Sequence, residues 1–133
     1  MTKSVAATLV AILSYQGRLD LRAPGAIGEW RGSADPRAEI TLDHLLRMTS
    51  GLAIDEAADR GDGRDPTSIM LYHESDAARF AATRELAHPP GSHFEYMSGN
   101  VVLATRAAQE AIGGALEEAT HVGGHRLFSE GWI

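Results

Sequence analysis

One lysine stands against eleven arginines in this sequence, and it is Lys3. A guanidinium keeps its proton in proteins, whereas an ε-amine in apolar surroundings can lose it. Any step that needs a lysine as base therefore has Lys3 alone. Lys3 comes just before an apolar run, Val5-Ala6-Ala7-Thr8-Leu9-Val10-Ala11-Ile12-Leu13. A serine three positions before such a lysine, at the start of a helix, would share its face one turn away. The amine then takes the hydroxyl proton as the serine attacks a carbonyl, and the helix N-terminus favours the developing anion. Three positions before Lys3 falls immediately ahead of Met1. The nearest hydroxyl within the chain, Ser4, follows the lysine by one and points from a different helix face.

Other combinations carry less chemistry. His121 and His125 are four apart, but Gly123-Gly124 opposes a rigid helix between them, and no carboxylate stands at a third-ligand spacing. Asp59, Asp62 and Asp65, with Gly61 and Gly63, lack the glycine and terminal Glu spacing of a calcium loop. Absent cysteines remove thiolate ligands, disulfides and cysteine nucleophiles. A metal site is not expected.

The elements that must position Lys3 are mostly helical. Residues 4–16 read as a helix that is apolar nearly all round, the pattern of a helix buried in a larger protein. Gly17 stands where a left-handed C-terminal cap is common. The same run resembles a short secretory signal, but no Ala-x-Ala-like site follows and it is too short to span a membrane. Trp30 is expected to anchor a Gly/Pro-rich connection by packing. Thr41 reads as the N-cap of a second helix, with Leu42, Leu45, Leu46 and Met48 as its apolar stripe and Gly51 as its end. A polar loop spans 55–66. A short helix is predicted near Thr67 to Tyr72 and another from Ser75 or Asp76 through Ala82. His88-Pro89-Pro90-Gly91-Ser92 is a break. A last helix runs from about Gly99 to Ile112, stopped by Gly113-Gly114. Only Gly91 to Tyr96 hints at a strand.

The 133 residues fit one domain; 44% are hydrophobic and 23% charged, which suits a globular chain. A net charge of −6 with no basic cluster excludes nucleic acid as an expected partner. Oligomeric state and location are left open.

Three segments together resemble one family. Lys3-Ser4-Val5, continued through Leu9-Val10 to Gly17-Arg18-Leu19-Asp20-Leu21, is similar to the nucleophile helix of serine β-lactamase-related hydrolases. That family includes class C β-lactamases, D-alanyl-D-alanine carboxypeptidases, family VIII esterases and nylon-oligomer hydrolases. Ile40-Thr41-Leu42-Asp43-His44-Leu45-Leu46-Arg47-Met48-Thr49-Ser50-Gly51-Leu52 resembles the family's I-T-x-x-x-L-L-x-M-T-S-G-L segment. Pro90-Gly91-Ser92-His93-Phe94-Glu95-Tyr96-Met97-Ser98-Gly99-Asn100 resembles its P-G-x-x-F-x-Y-x-S-x-N segment. The three occur in family order.

The resemblance implies roles. Lys3 matches the lysine that activates the serine, and Tyr96 the tyrosine that relays a proton to the leaving group or helps activate the nucleophile. Ser98 matches the substrate-proximal residue two beyond that tyrosine; it is also placed to cap the following helix. Asn100 reads as a first-turn helix residue or a local hydrogen-bonding one, and the Leu42 to Leu52 stretch as packing without chemistry. The implied fold is a mainly α chain, the helical portion of the α+β β-lactamase/transpeptidase-like fold. Residues 1–133 would form a single partial domain with most of the sheet outside it. The implied reaction is acyl transfer on a small-molecule ester, amide or lactam. Two departures stand out: the serine would lie just before Met1, and no Lys-Thr-Gly-like or His-x-Gly-like element occurs in a strand context. The chain is therefore expected to be inactive alone. The alternative is a stand-alone helical binding or structural protein derived from the family.

Overall fold

The computed structural model describes residues 2–32, 34–56, 63–113, 121–122 and 125–126, and these are mainly helical. Helix α1 (Thr2–Tyr15) is followed by two 3-10 turns, Gly28–Trp30 and Pro36–Glu39. Then come α2 (Leu42–Leu46), α3 (Pro66–Ser68) running into a π-turn at Ile69–His73, α4 (Ala77–Ala82) and α5 (Ser98–Ile112). Two short antiparallel strands, β1 (His121–Val122) and β2 (His125–Arg126), pair His121 with Arg126 and Val122 with His125. The histidine pair thus sits on paired strand segments, not on a helix, and His121-Val122, which opens the His-x-Gly stretch, lies in a strand where no strand context was expected. Asp59 and Asp62 lie outside the described residues, as do Gly114 and Gly123-Gly124.

Helix α5 is the centre of the packing and touches α1, α2 and α4. Its buried face reads Gly99, Asn100, Leu103, Ala104, Ala107, Ala108, two rows at four-residue spacing. Residues four apart share a helix face, and the small side chains there let the neighbouring helices approach closely. Gly113 closes α5 in the left-handed conformation, φ +80°, and its N–H reaches the Gln109 and Glu110 carbonyls.

Helix α1 lies along α5 in the same sense. Arg18 donates to the Ala111 carbonyl at 2.8 Å at the far end of both helices, while Lys3 meets Tyr96 at the near end. The turn after α1 forms as the sequence predicts: Gly17 has φ +73°, and Arg18 N–H bonds the Leu13 carbonyl. Its burial departs from expectation. Val10 and Leu13 are buried, but Val5 is 46% exposed and Tyr15 94%. Helix α5 packs along one side of the cylinder, and an apolar composition all round does not by itself supply a second layer.

Helix α2 starts where predicted. Thr41 Oγ1 accepts the His44 N–H, and His44 Nδ1 accepts the Thr41 N–H, a reciprocal capping box with histidine in the usual Glu/Gln place. It ends earlier than Gly51. Met48 adopts a left-handed conformation, φ +59°, and the Thr49 N–H returns to the His44 carbonyl. The conformation most helices give to glycine is here held by a methionine. Trp30 anchors its connection as expected: it is buried, and its indole N–H donates to the Ala82 carbonyl at 3.1 Å. Asp65 caps α3 and Asp76 caps α4, each accepting an N–H three residues on. Residues 91–96 form no strand; single backbone bonds from Gly91 and Glu95 hold them.

Candidate active site

Lys3 projects from the first turn of α1, and its ammonium lies 4.6 Å from the centroid of the Tyr96 ring. That is within the range of a cation–π contact. The tyrosine is 52% exposed, so the pair opens to solvent. Two of the three residues the sequence nominates therefore meet in space, although nearly the whole described chain separates them.

Tyr96 is set in place by the turn after α2. The Thr49 carbonyl accepts the Gly91 N–H at 2.7 Å, and the Met48 carbonyl accepts the Glu95 N–H at 2.9 Å. The left-handed Met48 aims that carbonyl at the 91–96 segment, a conformation that costs a non-glycine residue about 1–2 kcal/mol. Gly51 completes the arrangement. Its φ is +79°, and a Cβ there would stand 2.1 Å from the His88 carbonyl oxygen. The chain leaving the 88–92 break thus passes directly against Gly51. Ser92 N–H and Oγ–H both bond the Pro89 carbonyl and tighten that break. Met97, directly after Tyr96, is buried and pins the start of α5.

Behind this lies a buried polar contact. Ser50 and Asn100 are both fully buried, and Ser50 Oγ donates to Asn100 Oδ1 at 2.6 Å. The Asn100 amide nitrogen faces Met48 Sδ at 3.6 Å. Asn100 is thus the local hydrogen-bonding residue of the first turn of α5. The Leu42 to Leu52 stretch packs as expected, and its last turn also fixes the tyrosine segment. A serine and an asparagine inside otherwise apolar motifs were the available signal, since buried polar groups need partners.

Ser98 does not cap α5. Met97 occupies the N-cap, and the Ser98 N–H and Oγ–H both go to the Glu56 carboxylate. A carboxylate arriving from another segment has taken over the cap, because the helix N-terminus attracts negative charge. Glu56 carries no sequence signal; only the fold brings it here.

Beside Lys3 a cavity of about 230 Å³ opens between α1, α2 and α5. Lys3, Ala7, Leu46, Met48, Val101 and Ala104 are among its walls. It is an apolar recess with one cation at its edge. Among the described residues no three His, Asp or Glu side chains converge as a metal site would require. No described helix is long and apolar enough to cross a membrane.

The described residues are mainly helical, as the helical portion of a β-lactamase-like domain would be. The comparison with protein families agrees: the family model described as Beta-lactamase matches residues 1–120. The chain belongs to that family. A search of curated proteins returned no match.

Proposed function

We propose that this chain carries the proton-handling half of a serine hydrolase site that acts on an ester, amide or lactam through an acyl-serine. The Lys3–Tyr96 contact carries the reading, because it joins the two groups such a reaction needs for moving protons. In the family's arrangement the nucleophile is a serine three positions ahead of the lysine, one helical turn away. Lys3 takes the proton of that serine as its Oγ attacks the carbonyl carbon. Tyr96 passes a proton to the leaving oxygen or nitrogen as its bond to that carbon breaks. Water then attacks the acyl-serine, releasing the acid and restoring the hydroxyl. Ser98, two residues beyond the tyrosine, supplies a hydrogen-bonding group beside the reacting atoms. The apolar recess beside Lys3 suits a small hydrocarbon portion of the substrate. No metal or organic cofactor enters this scheme.

Ser4 is exposed and follows Lys3 by one, so it does not stand one turn ahead of the lysine on the same face. A fluorophosphonate probe, which labels activated serines, tests this. The chain alone should remain unlabelled. Joined to an upstream family segment ending in serine and to a downstream segment carrying the late strand, it should be labelled once per molecule and hydrolyse p-nitrophenyl butyrate. Stoichiometric labelling of the chain alone, abolished by Ser4→Ala, would overturn the assignment.

A further inference from the structure

We propose that Glu56 is a positioning residue of this site, holding Ser98 and through it the Tyr96 end of α5; the site itself is the one proposed above. The Ser98 N–H reaches Glu56 Oε2 at 2.8 Å, and its hydroxyl reaches Oε1 at 2.5 Å. Hydrogen bonds to an ionised carboxylate are short and about twice as strong as neutral ones. The first N–H groups of a helix have no partner within it, and the Met97 side chain offers none to α5. Glu56 supplies it from a segment 42 residues away.

The surrounding chain is built to deliver that carboxylate. Residues 51–54 lie beside 85–88: the Ala53 N–H bonds the Glu85 carbonyl, and the Ala87 N–H bonds the Gly51 carbonyl. Ile54 is fully buried. It sits so close to α5 that a Cβ on Gly99 would come within 2.6 Å of its Cδ1. The glycine directly after Ser98 therefore admits the segment that carries Glu56. The consequence for Ser98 is chemical. A hydroxyl has one proton and two lone pairs; with the proton committed to Glu56, Ser98 meets a ligand as an acceptor. It is suited to an N–H donor.

The chain itself can test this by NMR, without turnover. A tyrosine ring beneath the Lys3 ammonium displaces the lysine ε-CH2 protons upfield, and a carboxylate displaces the Ser98 amide proton downfield. Glu56→Ala should remove at least half of both displacements. Glu56→Gln, isosteric and still able to accept one bond, should give intermediate values, and it decides the matter if Glu56→Ala fails to fold. Glu110→Ala cuts a different carboxylate link, to Gly28 N–H and Arg31, and should leave the Lys3 displacement unchanged. If the Ser98 amide moves in the Glu56 variants while Lys3 stays as in the wild type, Glu56 is merely a cap and the positioning role is wrong. If neither moves, the contact itself is wrong. Failure of the hydrolase reading would appear instead in catalysis by Lys3 and Tyr96 variants, with these shifts intact.

Discussion

Ser50 Oγ donates to Asn100 Oδ1 across 2.6 Å with both residues fully buried, which fastens the turn after α2 to the first turn of α5. Everything that orients Tyr96 is anchored on one side or the other of this bond. Removing one partner leaves the other buried and unsatisfied, at a cost of roughly 1–3 kcal/mol. Ser50→Ala and Asn100→Ala should each lower the urea midpoint accordingly. The double variant should lose less than the sum of the two. Strict additivity would mean that the bond does not form.

Two glycines with the same backbone conformation should respond differently to alanine. Gly17, φ +73°, has open space where a Cβ would stand. Gly17→Ala should cost only the left-handed penalty, about 1–2 kcal/mol. Gly51→Ala adds a collision with the His88 carbonyl and should cost well beyond that, with Tyr96 signals shifted in the NMR spectrum. Equal losses at the two positions would show that the 88–92 segment does not press on Gly51.

Acid should loosen the 3-10 turn at Pro36–Glu39. The Arg37 guanidinium beside Asp35 holds that carboxyl down at about 2, against an ordinary 3.8. Arg37 in turn donates to the Ala82 and Arg84 carbonyls at the end of α4. A carboxyl lowered on folding contributes stability that is fully present above its unfolded pKa and is lost as pH falls through the folded one. The contribution should therefore fade between about pH 4 and pH 2. Asp65, lowered first by the Ser68 side chain and then by its N–H, and Asp76, lowered first by the Arg79 N–H and then by Arg106, act in the same direction. Asp35→Asn should flatten part of the melting-temperature decline over this window. An unchanged profile in that variant would remove the linkage.

Catalysis in the joined protein separates base from relay. Lys3→Ala should lower kcat/KM by about a hundred- to ten-thousand-fold, the usual worth of general-base help. Lys3→Arg should fail about as badly, since the guanidinium keeps its proton. Tyr96→Phe keeps the ring under Lys3 and loses only the hydroxyl, so a fall of at least about tenfold isolates proton relay. His121→Ala and His125→Ala should stay within about threefold of the parent, well short of the loss of a general base. A dead histidine variant beside a silent Tyr96→Phe would mean the family fold without its mechanism.

The amino-acid sequence by itself determined the punctuation and the candidates. Thr41, Asp76, Gly17 and Gly113 mark helix ends through local chemistry, a side-chain acceptor or a missing Cβ, and such effects act over a few residues. The lone Lys3 and the Tyr-x-Ser segment stood out because of residue type and order. Tertiary structure decided what those residues touch. Helix α2 ends at Leu46, well before Gly51, and Met48 takes the left-handed turn after it, its carbonyl partnered by Glu95 far along the chain. One side of α1 stayed exposed, since apolar character cannot say how many neighbours a helix has. Ser98 proved to be capped by Glu56, and Ser50 to be paired with Asn100, because hydrogen bonds between distant segments leave no periodicity to read. The Lys3–Tyr96 contact combines both levels: the residues are legible in sequence, and their meeting depends on α1 and α5 lying side by side in the same sense.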